Sequence, residues 1–122
     1  MIGSLRGRVA VKAPPQLLLE VGGVGYELEA PMSTFYGLPA IGEEVRLLTQ
    51  LVVREDDMTL YGFADEDERT VFQLLQTVSG VGPRLAQSLL AVHRPDELRR
   101  AVATEDVAAL MKVSGVGRKG AQ

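Results

Sequence analysis

Val78-Ser79-Gly80-Val81-Gly82-Pro83-Arg84-Leu85-Ala86-Gln87 returns later in the chain as Val113-Ser114-Gly115-Val116-Gly117-Arg118-Lys119-Gly120-Ala121-Gln122. The offset is a constant 35 residues, Gly80 to Gly115. A fixed-period repeat marks a recurring structural unit. Before the first copy, Val71, Phe72, Leu74, Leu75 and Val78 recur at helical spacing. After it, Pro83 suits the first position of a helix carrying Leu85, Ala86, Leu89 and Leu90 inward. The unit therefore reads as helix, tight hairpin, helix.

Working outward, Asp65 is placed to cap the first of these helices, with Glu66, Asp67 and Glu68 at the positive end of its dipole. Pro95 opens a third helix with Leu98, Ala101 and Val102 on its apolar face. Thr104 is read as the cap of a fourth, with Glu105 and Asp106 in its first turn and Val107, Leu110 and Met111 buried. Val81 and Val116 are read as plugs seating each hairpin between its helices.

Upstream of Ala64 the period changes from 3.6 to two. Val24, Tyr26, Leu28 and Ala30 alternate with Gly25, Glu27 and Glu29. Leu17, Leu19 and Val21 alternate with Gln16, Leu18 and Glu20, and Val45, Leu47, Thr49, Leu51 and Val53 form a longer run. Leu5, Gly7, Val9 and Val11 make one face of the first strand, with Arg6, Arg8 and Lys12 on the other. Met58 to Phe63 supplies a fifth strand. Pro14-Pro15 and Gly22-Gly23 mark turns, and Met32 to Gly37 a short helix or turn. Five strands and one helical link predict a small closed barrel of the OB type. The fold class is therefore α+β: an OB-like barrel over residues 1–64, then a helical domain over residues 65–122.

Composition bounds the chemistry. Hydrophobic residues at 46% and charged residues at 24% describe a globular chain, not a disordered one. With no cysteine and one histidine, disulfides, Cys-ligated zinc, iron–sulfur clusters and thiol catalysis are excluded, and a His triad lacks material. The N-terminus has neither the pattern of a signal peptide nor that of a membrane span. The net charge of −3 is carried by residues 1–64, where five Lys/Arg face eight Asp/Glu; residues 65–122 hold eight of each. A nucleic-acid site here must work by local geometry rather than bulk charge.

The repeat offers that geometry, and it resembles the helix–hairpin–helix family of DNA binders. Glycine admits the restricted backbone of a tight turn. The amides after the second glycine open a helix and lack intrahelical acceptors, so they can bind a phosphate oxygen. Arg84, Arg118 and Lys119 add positive charge there. The DNA-phosphate-binding set is thus Ser79, Gly80, Val81, Gly82 and Arg84, with Ser114, Gly115, Val116, Gly117, Arg118 and Lys119. A bare helix terminator accounts equally for one copy; two copies, each followed by a basic residue, favour DNA. A nucleotide-binding loop is weak, because neither copy follows a strand or has the required spacing.

Arg54-Glu55-Asp56-Asp57 interrupts the strand pattern between Val53 and Met58. Alone it reads as a solvated turn; consecutive acids in a turn make a poor metal site. His93 reads as a helix end, Tyr26 and Phe63 as core rather than base-stacking platforms, and Met58 and Met111 as core. Tyr61 is an aromatic of the kind that stacks a base in single-strand-binding OB-folds. Arg6, Arg8 and Lys12 fit a solvated strand face as well as a backbone contact.

Met1-Ile-Gly3, Glu20-Val-Gly-Gly-Val-Gly-Tyr26, Val52-Val-Arg-Glu-Asp56, Leu60-Tyr-Gly-Phe63 and Ser79-Gly-Val-Gly-Pro83 together resemble the RuvA family along almost the whole chain. The resemblance implies a non-catalytic scaffold for four-way (Holliday) DNA junctions that supports branch migration. It implies a homotetramer, with one or two tetramers (an octamer) on a junction, and a bacterial cytoplasmic setting without cofactors. It makes Glu55 and Asp56 an acidic pin near the junction centre. It also implies a RuvB motor and a RuvC resolvase as partners, the motor held by a third domain, so that the chain to Gln122 reads as a truncated form without the RuvB contact. Gly120 departs from the threonine common in the family, at a cost to the last helix of up to about 1 kcal/mol. A metal-dependent repair nuclease and a non-DNA interaction module stand as alternatives.

Overall fold

The structure is a computed structural model that describes residues 2–114, with side chains described as far as Leu110. Expectations for Gly115, Val116, Gly117, Arg118, Lys119 and Gly120, and for the side chains of Met111 and Ser114, lie outside the described residues. The elements are β1 (Ser4–Ala13), β2 (Gln16–Val21), β3 (Val24–Glu29), α1 (Met32–Tyr36), β4 (Glu44–Val53), β5 (Met58–Phe63), α2 (Glu66–Leu75), α3 (Pro83–Val92), α4 (Pro95–Ala103) and α5 (Val107–Ser114). They fall into two compact units that divide inside α2, between Arg69 and Thr70.

In the first unit the strands form a closed barrel in the order β1-β2-β3-β5-β4. β1 makes closure possible by serving two partners. Its first half pairs with β4 from Ser4↔Leu48 to Arg8↔Glu44, and its second half pairs with β2 from Arg8↔Glu20 to Ala13↔Gln16. Gly7 lies where the strands crowd: a Cβ there would stand 2.2 Å from the Glu20 carbonyl oxygen. The absence of a side chain at this position is a packing requirement.

The inward residues of alternating strands fill the barrel. Val9, Leu17, Leu19, Leu28, Ala30, Leu47 and Leu60 make one buried cluster, joined by Phe35 of α1. Burying each such leucine contributes roughly 2 kcal/mol. The expected face of β1 fails at one residue: Val11 is 47% exposed. Val9 pairs with Leu19 but Val11 with Leu18, so Ala10 is an extra residue that reverses the alternation after it. Met58, expected in the core, is 66% exposed, because β5 enters the barrel only from Leu60 onward.

α2 begins as its sequence dictates, with the Glu68 N–H donating to Asp65 Oδ1 at 2.9 Å. Arg69 donates to the Gly3 carbonyl at 2.8 Å and the Thr49 carbonyl at 3.3 Å, and pairs with Glu66 at 2.9 Å. The Thr49 hydroxyl in turn donates to the Ile2 carbonyl, so the start of the chain is tied to β4 and to the first turn of α2.

In the second unit α3, α4 and α5 pack on one another. Val71, Phe72, Leu75, Ala86, Leu89, Leu90, Leu98, Ala101 and Val107 are buried. Thr104 does not cap α5 as expected. It is the C-cap of α4, and its hydroxyl donates back to the Arg100 carbonyl at 2.9 Å. Glu105 follows with φ +56°, so Glu105 and Asp106 form the connection and α5 starts at Val107. The hydroxyl found acceptors behind it before it could find donors ahead.

Candidate nucleic-acid interface

The first hairpin is built from the end of α2. The Thr77 and Val78 N–H groups donate to the Leu74 and Leu75 carbonyls at 3.0 and 3.1 Å, tightening the helix end. The Val81 N–H then donates to the Val78 carbonyl at 3.0 Å, closing a four-residue turn over Ser79 and Gly80. Gly80, third in that turn, has φ +86°, the value a type II turn needs there. A Cβ on Gly80 would meet nothing within 4 Å, so glycine is required for conformation and not for space. Val81 turns inward and is buried, as the plug reading expects.

Only the first glycine of the pair is left-handed. Gly82 is extended, with φ −96° and ψ −175°, and is the N-cap of α3. No side chain caps this helix, and Pro83 occupies its first turn. The first intrahelical bond runs from the Ala86 N–H to the Gly82 carbonyl at 3.0 Å. Pro83 has no N–H, so the orphan donors of the turn are the Arg84 and Leu85 amides. The first turns of α2 and α4 carry acids, whereas that of α3 carries none and presents the exposed Arg84. Ser79 and Gly80 are exposed and Gly82 is half-buried. Two amides, a helix dipole and a guanidinium make a place for one phosphate oxygen. The sequence reading named Arg84 but not Leu85; the signal was Pro83, which moves the free donors one residue on.

The acidic turn lies between β4 and β5. The Arg54 N–H donates to the Asp57 carbonyl at 2.7 Å, which leaves Glu55 and Asp56 as the two tip residues. Both are exposed and have no hydrogen-bond or ion-pair partner among the described residues. Asp57 differs: its Oδ2 accepts the Thr59 hydroxyl at 3.0 Å, so it shapes the turn rather than extending the charged tip.

These features sit on a recognised sequence framework. The RuvA N terminal domain family matches residues 1–62. The chain belongs to the RuvA family. A second family, the SAM-like helix-hairpin-helix tandem, matches residues 72–122. Proteins named Holliday junction branch migration complex subunit RuvA are similar along all 122 residues, at 58% identity in Streptomyces avermitilis, 59% in Streptomyces coelicolor and 57% in Alkalilimnicola ehrlichii. The chain spans about 60% of the length of these relatives.

Within this RuvA-family chain, the remaining candidates are placed as follows. Phe63 and Tyr61 are buried, at 0% and 3% exposure, so neither offers a ring face for base stacking, and Tyr26 is half-buried against the barrel core. Arg6 and Arg8 lie on the exposed face of β1, Arg6 3.9 Å from Glu44. Such an exposed pair contributes little. His93 is the C-cap residue of α3, with its Nδ1 3.5 Å from Glu97 Oε1. Among the described residues no three His, Asp or Glu side chains gather as a metal site would need. No described helix is long and apolar enough to cross a membrane.

Proposed function

We propose that this chain is a structure-specific binder of four-way DNA junctions and acts as a non-catalytic scaffold for branch migration. The observation that carries the reading is the hairpin from Val78 to Arg84, with a left-handed Gly80, a plugged Val81 and two orphan amides beside an exposed arginine. Such a site holds the DNA backbone and ignores its sequence. The second copy, from Ser114 to Lys119, is proposed to hold a neighbouring phosphate in the same way. The relatives' printed name, with its reference to Holliday junctions and branch migration, supports the same reading.

Functionally, residues 1–64 are assigned as a barrel domain and residues 65–122 as the tandem helix–hairpin–helix domain. Glu55 and Asp56 act as the acidic pin. Two unpaired carboxylates repel phosphates, so they separate strands at a crossover instead of trapping them. A homotetramer, alone or doubled to an octamer, gathers the pins at the junction centre and leaves the hairpins to hold the arms. RuvB and RuvC are the partners proposed by way of full-length members of the family, with the RuvB contact proposed to be missing from this chain, and the setting proposed is the bacterial cytoplasm.

The test is competition. A labelled four-way junction bound by the chain is challenged with unlabelled linear duplex, with and without Mg²⁺. Retention of the junction against excess duplex, with no cleavage, supports the scaffold. Mg²⁺-dependent strand scission moves the reading to a nuclease, and the absence of any DNA binding moves it to a protein-interaction module.

A further inference from the structure

The barrel closes through an incomplete seam. β3 and β5 run parallel, and their pairing is confined to Glu29↔Tyr61. On their other sides both strands are paired throughout, β3 with β2 from Val24 to Glu29 and β5 with β4 from Met58 to Phe63. Val24 to Leu28 and Met58 to Leu60 therefore each have one edge without a strand partner among the described residues. Free strand edges are normally blunted by charged side chains, lysine above all, by proline or by a bulge, and of these Glu27 alone stands in the two stretches. Neither stretch contains a lysine or a proline, and no register shift interrupts either one.

Beside the two edges lies a small open groove of about 150 Å³, lined among others by Gln16, Glu27, Glu29, Met58 and Thr59. Among the described residues no lysine or arginine lines it. Met58, which lines the groove at the start of β5, is 66% exposed and gives it an apolar rim. Asp57 adds a further acid directly before Met58.

We propose that this seam takes an extended peptide bearing lysine or arginine at alternate positions, added as a strand between β3 and β5. Backbone hydrogen bonds to the free edges give affinity, as in other strand additions. Glu27 and Glu29, two residues apart and so on one face of β3, select cations at alternate positions of the incoming chain. The same acids repel a phosphate backbone, so the occupant is a protein segment and not DNA.

The probe is a synthetic peptide of alternating lysine and valine, titrated into the isotope-labelled chain while backbone amide resonances are followed. The control keeps every lysine but replaces the valines with proline, which removes the strand's donors. Shifts at Val24–Glu29 and Met58–Leu60, saturating with the first peptide and weakened about tenfold or more with the second, are expected. Glu27→Lys combined with Glu29→Lys, with the barrel's circular dichroism unchanged, is expected to weaken the first peptide by a similar factor. Equal binding of both peptides would reduce the effect to charge alone and overturn the proposal. So would unmoved seam amides at about 1 mM peptide, or protection of those amides that rises with protein concentration, which would assign the seam to a second copy.

Discussion

The Thr34 hydroxyl donates to Glu68 Oε1 at 2.9 Å, and both side chains are buried, at 0% and 7% exposure. The same oxygen accepts the Ala64 N–H at 3.1 Å. One carboxylate therefore joins α1, the exit from β5 and the first turn of α2. Removing an acceptor that serves one buried hydroxyl and one part-buried amide costs about 1–3 kcal/mol. Glu68→Ala is expected to lower the unfolding free energy by that amount in urea titrations. Glu68→Gln keeps an oxygen in place and is expected to cost less than half as much. Equal losses for the two variants would show that the acceptor is not what matters.

Gly7 and Gly3 provide a steric pair. A Cβ at Gly7 meets the Glu20 carbonyl at 2.2 Å, while one at Gly3 meets nothing within 4 Å. Gly7→Ala is expected to destabilise by about 1–3 kcal/mol, and Gly3→Ala by nothing measurable, when thermal unfolding of the two is compared.

Gly80 gives a conformational test of the hairpin. Its φ of +86° is unfavourable for a side chain although there is room for one. Gly80→Ala is expected to cost about 1 kcal/mol and to weaken junction binding, because the turn positions the Arg84 and Leu85 amides. Gly80→Asn is expected to be milder on both counts, since asparagine tolerates positive φ. Denaturation and gel-shift titrations of the two variants check the order.

Glu55 and Asp56 separate charge from fold. Neither has a partner among the described residues, so Glu55→Gln with Asp56→Asn is expected to change stability by no more than about 0.5 kcal/mol. Under the proposed function the pair of changes raises affinity for linear duplex and lowers the preference for a junction over duplex. Competition titrations with both DNAs read that ratio.

The sequence made the barrel legible because its strands are short, alternate cleanly and are separated by Pro14-Pro15 and Gly22-Gly23. The hairpin was legible because glycine, valine and Pro83 each have one structural use there. What local pattern could not show was set by partners distant in sequence. The Ala10 bulge follows from β1 serving two strands at once. Glu68 looked like a charge for the helix dipole until Thr34, 34 positions away, was found against it. Thr104 sat between two helices and could serve either; the Arg100 carbonyl decided it. Met58 followed the strand period but lies beyond the part of β5 that enters the core.

The central claim is that the first hairpin holds DNA phosphate at Arg84. The direct measurement is a gel-shift titration of the chain and of Arg84→Glu against a four-way junction and a linear duplex of equal length, at two salt concentrations. Arg84 is exposed, so the variant keeps its fold. The account predicts a preference for the junction, a marked loss of junction affinity in the variant, and a salt slope shallower by about 1 for each hairpin engaged. Unchanged affinity and slope in the variant, or equal binding of junction and duplex by the parent chain, would contradict it.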